Sequence, residues 1–423
     1  MRRFIPFLIS LVIIEGSLQW LEVEVGSTFL WWSLNGIIIL FFIFCREYRI
    51  CKLPVAVYLY LIWVLFSGIR GIFMAEGYWD FKELVSNLLF YSLPVCLSFF
   101  RYPRNFISVS RACLFILPFC FIFLIPFSQP EAVGKILLII PPFLLFIPRL
   151  SLHIRIYLFS ALVAVFVLGS LGARSSAVRF AVAFLFSISF IFRRFLYKSF
   201  FLKFVYLSII IIPILFGGLA LSGVFNVFNV GDIFKGKYEV KDAYGSESDD
   251  TEDLSADTRS FLYVEVISSA LDNNYGIWGH SLSRGYKSLS FGDYDLISRA
   301  RGERPDCEVA LLNVFTHMGV IGFFLYSFIF LSASKNALFN SRSYAMKLVG
   351  LWIAFRWLFS WIEEFTRFDI NNIYIWAFIA MCYSPIYIDM TDKEFISVIN
   401  SCFFKKTQKN IRYKRLIVKI CTS

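Results

Sequence analysis

Residues 204–223 read FVYLSIIIIPILFGGLALSG, and residues 241–257, a short way on, read KDAYGSESDDTEDLSAD. The first stretch carries no charge over the length that a helix needs to cross about 30 Å of hydrocarbon. The second is acidic and rich in Ser and Asp, the composition of a flexible, solvated segment. Reading outward from this junction, the chain repeats the first pattern many times and the second not at all. Hydrophobic residues make up 58% of 423 positions, charged residues 17%, and Phe alone fills 51. That leaves too little polar surface for a soluble globule of this length. In hydrocarbon every backbone amide must be satisfied within its own segment, and these runs exceed the length of a barrel strand, so the sequence predicts α-helices. The fold class expected is all-α, a polytopic integral membrane protein with about twelve spans by the roughly 20-residue rule.

The spans fall at residues 4–20, 27–44, 53–69, 83–100, 112–128, 132–148, 154–171, 177–192, 204–223, 308–332, 347–365 and 373–389. The sixth is the shortest in apolar core and carries Pro141 and Pro142, so a re-entrant segment is its alternative. Alternate connections hold Arg2/Arg3, Arg46/Arg49/Lys52, Arg101/Arg104/Arg111, Arg149/Arg155, Arg193/Arg194/Lys198/Lys203, Lys335/Arg342/Lys347 and the tail Lys405–Lys419. The positive-inside rule assigns these to the cytoplasm. Removing the sixth span would throw half of them to the other side, so parity keeps it. The domain plan is then helices one to nine in 1–223, a large outward loop in 224–307, helices ten to twelve in 308–390, and a basic cytoplasmic tail in 391–423, with both termini cytoplasmic.

The chain's 41 Lys+Arg and 30 Asp+Glu give a net charge of +11, but residues 224–307 hold 9 basic and 15 acidic residues, a net of −6, leaving +17 for the rest. The basic residues sit where topology and anionic lipid headgroups favour them, and a nucleic-acid partner is not expected; KKTQKNIRYKR in the tail reads as a membrane-surface anchor. Of nine cysteines only Cys307 lies in the outer loop, which implies no disulfide framework. The start, MRRFIPFLISLVII, lacks a small-x-small cleavage site and is read as the first helix. No internal repeat of the kind common in transporters is visible. His153, His280 and His317 are far apart in sequence, so no metal site is expected. Asp293-Tyr294-Asp295 is the one Asp-x-Asp spacing considered for a nucleotide-sugar site; it follows Gly292 in the outer loop and reads as a solvated turn.

Arginine is what the outward side offers. Gly172-Ala173-Arg174-Ser175-Ser176 forms the turn into the eighth span, and Ser175 or Ser176 can cap a helix whose positive end points outward. A helix start beside a guanidinium fork suits phosphate, and Arg179 lies about one turn deeper. The alternative for Arg174 is an arginine snorkelling to the interface. In the outer loop, TRSFLYVEVISSAL (258–271) has helical spacing, with Arg259 in its first turn, and reads as an amphipathic helix lying on the surface. Gly276 to Gly285, through His280 and Arg284, is a glycine-punctuated loop able to fold over a ligand. Glu308, at the start of the tenth span, is a candidate general base; Asn313 and His317 share a face four residues apart, with His317 read as a buried structural histidine. Arg356 lies mid-span, in one stripe with Ser360, Glu363 and Arg367, and is either functional or paired internally with Glu363.

Taken in order, Ala173-Arg174-Ser175 after a span, a large outer loop, an Arg259-led helix, the Gly276-x-x-Gly279 turn and the Gly319-to-Gly322 stretch make residues 160–332 resemble the O-antigen polymerase and O-antigen ligase superfamily. The resemblance implies a GT-C-like fold in the bacterial inner membrane. It implies an enzyme: a glycosyltransferase that extends a polyprenyl-diphosphate-linked glycan at the periplasmic face into O-antigen or a related surface polysaccharide. Neither metal nor nucleotide cofactor is implied; outward arginines hold the diphosphate, here Arg174, Arg179, Arg259, Arg284 and Arg356. A chain-length regulator and a flippase are the implied partners, besides donor and acceptor glycans and membrane lipids. The ligase branch carries His-Asn just before the tenth span, where this chain has Asp306-Cys307-Glu308, so the polymerase branch is favoured. The base stays open between Glu308, His280 and no protein base, and a ligase or a lipid-linked oligosaccharide flippase remains the alternative function.

Overall fold

The computed structural model describes residues 5–18, 27–45, 53–124, 127, 131–168, 174–190, 192, 199–221, 239–241, 251–253, 260–288, 302–363 and 366–404. Helices α1 (Ile5–Leu18), α2 (Thr28–Phe44) and α3 (Val55–Met74) lead to α4 (Tyr78–Tyr91), which runs on through a 3-10 turn into α5 (Leu97–Phe100), and then to α6 (Pro103–Leu124). Two short pieces, α7 (Glu131–Ile136) and α8 (Pro141–Leu144), precede α9 (Leu152–Leu168), α10 (Arg174–Ile188) and α11 (Ser199–Leu221). The polar segment contributes β1 (Glu239–Lys241) paired with β2 (Thr251–Asp253), helix α12 (Ser260–Asp272), and β3 (Tyr286–Lys287) paired with β4 (Glu303–Arg304). The chain closes with α13 (Ala310–Asn340), α14 (Tyr344–Phe359), α15 (Ile370–Tyr383), α16 (Pro385–Ile388) and α17 (Asp392–Phe403).

The molecule is an all-α membrane protein. Val55–Met74, Tyr78–Phe100, Pro103–Phe123 and Ala310–Asn340 are long and apolar enough to cross a bilayer, and shorter apolar helices accompany them. Burial sorts the helices into two layers. On α14 and α15 nearly every residue is buried, Lys347 and Arg356 of α14 and Asn371 and Asn372 of α15 included, so both form the centre. The outer helices instead present large apolar side chains outward, among them Phe73 at 84% and Phe200 at 82% exposure. An exterior of that kind is stable only against lipid or another apolar surface. Local sequence sets the ends of the central pair: Ser343 accepts from the Met346 amide to start α14, and Asp369 accepts from the Asn372 amide at 2.7 Å to start α15.

Three expectations change. The sixth span is not a helix of 132–148 but a buried chain of short pieces, because Pro141, Pro142 and Pro148 remove donors that a continuous helix needs. The basic connection before the eleventh span shrinks to the turn around Ser341–Ser343: Lys335 lies in α13, and Lys347 lies in α14 with its Nζ donating to the Leu338 carbonyl at 2.6 Å. At the acidic stretch read as flexible, β1 and β2 form an antiparallel ribbon with Val240 opposite Glu252.

The feature that positions the site is a break in α13. Gly319 has φ +66° and ψ −169°, a region open in practice to glycine alone. The carbonyls and amides released there are taken up by the loop after α12: His280 N–H donates to Thr316 O at 2.6 Å, and Val320 N–H donates to Gly276 O at 2.9 Å. Trp63 Nε1 of α3 donates to Met318 O at 2.9 Å. Gly279, at φ +78°, lies so close to the His317 carbonyl that a Cβ would sit 2.5 Å from it. Arg70 fastens the loop from the other side through the carbonyls of Trp278 and Gly279. The loop after α12 is thus latched into a long apolar helix backbone to backbone. At Gly319 an added Cβ would fall 2.2 Å from Ile277 O. Gly319→Ala is therefore expected to destabilise the protein by more than about 2 kcal/mol and to expose residues 276–285 to protease. Gly36→Ala, with nothing within 4 Å of the new Cβ, should leave the thermal unfolding of the detergent-solubilised protein unchanged or raised; equal behaviour of the two variants would refute the latch.

Candidate functional site

Three cationic side chains from sequence-distant elements converge beside the end of α14. Arg179 of α10, 2% exposed, donates from Nε to Ser175 O at 3.0 Å and from Nη2 to Ser175 Oγ at 2.9 Å. Its guanidinium carbon stands 5.5 Å from the centre of the Phe359 ring, and that of Arg356, on α14, stands 5.9 Å from the same ring. Glu363 approaches Arg179 Nη2 at 3.8 Å and Lys135 Nζ of α7 at 3.9 Å. Asp369, the cap of α15, interacts electrostatically with Lys135, Arg179 and Arg356. Among the described residues, Lys135, Arg179 and Arg356 thus meet Glu363 and Asp369.

The geometry has two consequences. Charge-assisted hydrogen bonds close to about 2.7–2.9 Å, so the ion pairs at 3.8 and 3.9 Å, both made to Glu363 Oε1, are long ones. Phe359 offers its ring to both guanidiniums, which aligns the two forks without neutralising them.

An apolar groove of about 250 Å³ lies close by, lined by Tyr263 and Ile267 of α12, by Leu311, Phe315 and Phe323 of α13, and by Trp361. Its floor is tied to the cationic centre through main-chain bonds: Leu311 N–H donates to Ser360 O at 3.1 Å and Ala310 N–H to Glu363 O at 3.3 Å. The Tyr263 hydroxyl donates to the Trp361 carbonyl and holds α12 across the groove. α12 buries Leu262, Val266 and Ala270, while Val264, Ile267 and Leu271 stay exposed, so its outer face is apolar too and not the polar face expected of an amphipathic helix.

The other expected site residues are placed as follows. Arg174 opens α10, with its side chain outside the described residues, and Arg259 also lies outside them. Arg284 forms a fork on Glu303, Nε to Oε2 at 2.9 Å and Nη2 to Oε1 at 2.6 Å, with Glu76 at 3.3 Å from Nη1. It belongs to the latch and not to the set around Phe359. Glu308 precedes α13, which begins at Ala310, and pairs with Arg304 at 3.2 Å. The ring of His280 stacks on Tyr275 at 4.6 Å, and its Nδ1–H donates to Gly285 O at 2.6 Å. Burial holds the His280 imidazole below its ordinary pKa, so it is neutral at pH 7.

Sequence reasoning passed over Lys135, Asp369 and Asp306. Lys135 and Asp369 did carry a signal, each being a charge set against a long apolar run. Asp306 was visible only as a residue standing where the ligase branch has histidine. The Asp306 carboxyl interacts with Arg304 and Arg367, and burial outweighs both in pushing its pKa up to about 6. Comparison with protein-family models finds no match, and searches of curated proteins and of solved structures find none either.

The Arg284–Glu303 fork yields a direct test. With Glu303 only 7% exposed in its side chain, Arg284→Ala removes the fork from a buried carboxylate and should cost about 3 kcal/mol of stability, whereas the double change Arg284→Met with Glu303→Leu should recover most of that. Thermal unfolding of the single and double variants measures it; a single variant as stable as wild type would show that the arginine is not committed to this pair.

Proposed function

We propose that this protein is a membrane glycosyltransferase that polymerises polyprenyl-diphosphate-linked oligosaccharide repeat units, an O-antigen polymerase in type. The observation that carries the reading is the convergence of Arg179 and Arg356 on Phe359, with Lys135 alongside and Glu363 in long ion pairs opposite. A diphosphate satisfies two guanidinium forks and an ammonium at once. The adjoining groove accepts part of a hydrocarbon chain on its apolar walls, so a ligand with a polyanionic head and an isoprenoid tail matches both parts of the site.

In this reading the chain crosses the bacterial inner membrane about twelve times by the roughly 20-residue rule, with residues 224–307 in the periplasm and both termini in the cytoplasm. Arg179 and Arg356 hold the donor diphosphate and stabilise the charge that grows on it as the glycosyl bond breaks, and Arg174 and Arg259 extend the same function toward the periplasm. The latch, with His280 and Arg284, sets the outer segment over the site and holds the acceptor glycan in attack geometry. A chain-length regulator and a flippase work beside it.

Purified protein supplied with undecaprenyl-diphosphate-linked repeat units is expected to lengthen the lipid-linked chains. Arg179→Ala and Arg356→Ala should each reduce that rate about 100-fold or more, and Arg→Lys at either position should restore little because an ammonium lacks the fork. Transfer to a lipid core would mark a ligase and leaflet exchange alone a flippase. Normal ladders from both alanine variants would overturn the site assignment.

A further inference from the structure

Asp306 lies between β4 and α13 in an unusual position. Its Oδ1 is buried and, among the described residues, has no hydrogen-bond partner; His317 Nε2 stands 3.8 Å from it. The side chain nonetheless keeps 31% of its surface, so the carboxyl faces inward with one oxygen while remaining reachable from outside.

Behind it runs a chain of groups able to adjust to its charge. The Tyr91 hydroxyl is 3.0 Å from His317 Nδ1, and Asn87 Nδ2 is 3.4 Å from His317 Nε2 while also donating to Leu282 O at 3.0 Å. When Tyr91 donates to Nδ1, the hydrogen is on Nε2, with the Pro305 main chain, to which His317 hydrogen-bonds, and the Asp306 carboxyl on that side. When Asn87 donates to Nε2, the hydrogen sits on Nδ1 and goes to the Tyr91 oxygen. Both tautomers of a neutral imidazole are accommodated.

The chain beside Asp306 is also tied to the turn before α15. Asn313 accepts from Cys307 N–H at 2.8 Å and donates to Cys307 O at 2.9 Å and to Thr366 Oγ1 at 2.9 Å. That fixes residues 306–307 against the turn that carries Arg367 and leads to Asp369. The charged and titratable groups around Asp306 are Arg304, Arg367, His317, Tyr91 and Cys307. The other candidates are engaged elsewhere: Glu308 with Arg304, and His280 with Gly285 and Tyr275 inside the latch.

We propose that Asp306 is the proton acceptor of the transfer reaction and that His317 is its positioning residue, an inference that rests on the glycosyltransferase reading. The acceptor sugar's O–H bond breaks and its proton passes to the Asp306 carboxylate. The hydroxyl oxygen supplies the electron pair of the new C–O bond at the donor's anomeric carbon. The bond from that carbon to phosphate breaks, and its electron pair leaves on the polyprenyl diphosphate held by Arg179 and Arg356. The proton then departs to water from the exposed edge of the carboxyl.

The test uses the full chain in lipid nanodiscs, with undecaprenyl diphosphate as binding probe and undecaprenyl-diphosphate-linked repeat units from the native host as substrate. Asp306→Asn should lower kcat by about 100-fold or more with the Kd for undecaprenyl diphosphate unchanged. Wild-type kcat should fall as pH drops through about 6, since a carboxylate accepts a proton only when ionised. His317→Leu, which removes the imidazole beside the carboxylate, should move that acid limb to higher pH, an effect that a purely packing role would not produce. Should Asp306→Asn fail to reach the membrane, Asp306→Glu serves in its place, with reduced kcat and a retained acid limb expected. Wild-type kcat in Asp306→Asn, or a wild-type rate that stays flat between about pH 5 and 8, overturns the assignment. If wild type neither binds undecaprenyl diphosphate nor lengthens chains, the transferase reading itself fails.

Discussion

Two guanidinium groups share one phenyl ring in the interior of a membrane protein, and much of the surrounding architecture answers to that fact. Arg179 and Arg356 stand 5.5 and 5.9 Å from the centre of Phe359. Cations in so apolar a place need counter-charge and immobile neighbours. Glu363 and Asp369 supply the first from the turn between α14 and α15, and the near-complete burial of those two helices supplies the second. The broken segment at 131–149 follows the same logic. A straight helix there would be one more wall, whereas the proline-interrupted pieces fold inward, pack α8 against α10 and bring Lys135 to Glu363.

The outer segment is coupled to this centre at two points. At one, the loop after α12 completes the hydrogen bonding of α13 where Gly319 interrupts it. At the other, Asn313 clips Cys307 to Thr366, so the chain entering α13 and the chain entering α15 move as a unit. Between them α12 roofs a groove with no polar lining while its neighbours carry the charges. Polar and hydrocarbon chemistry are thereby kept side by side without mixing, which an amphiphilic ligand requires of any site that holds it.

Those parts of the structure governed by local composition were legible in the sequence. Long uncharged runs gave the membrane helices, and the spacing of Leu262, Val266 and Ala270 gave α12 nearly to its ends. Arg179 and Arg356 stood out because a cation inside an apolar run demands a reason. What stayed hidden depended on pairing at a distance. Nothing in 131–149 says that Lys135 meets a glutamate more than two hundred residues later, and the prolines that break the segment were weighed against a charge parity that counts crossings and not shapes. Arg284 was read as a ligand-binding arginine because its partner Glu303 lies on a strand too short to show periodicity. The break at Gly319 was hidden too, since a run of apolar residues continues through it.

The latch also bears on how the protein is made. A transmembrane helix with an open turn at Gly319 exposes bare carbonyls and amides to lipid unless the loop is already present to receive them. Chains emerge from the ribosome amino end first. Trp63, Arg70 and the Gly276–Gly279 loop all precede α13, so every group that closes the gap has been synthesised before the gap itself enters the bilayer. A rearranged chain with residues 260–288 moved behind α13 would keep each contact on paper and yet oblige the translocon to release an unfinished helix.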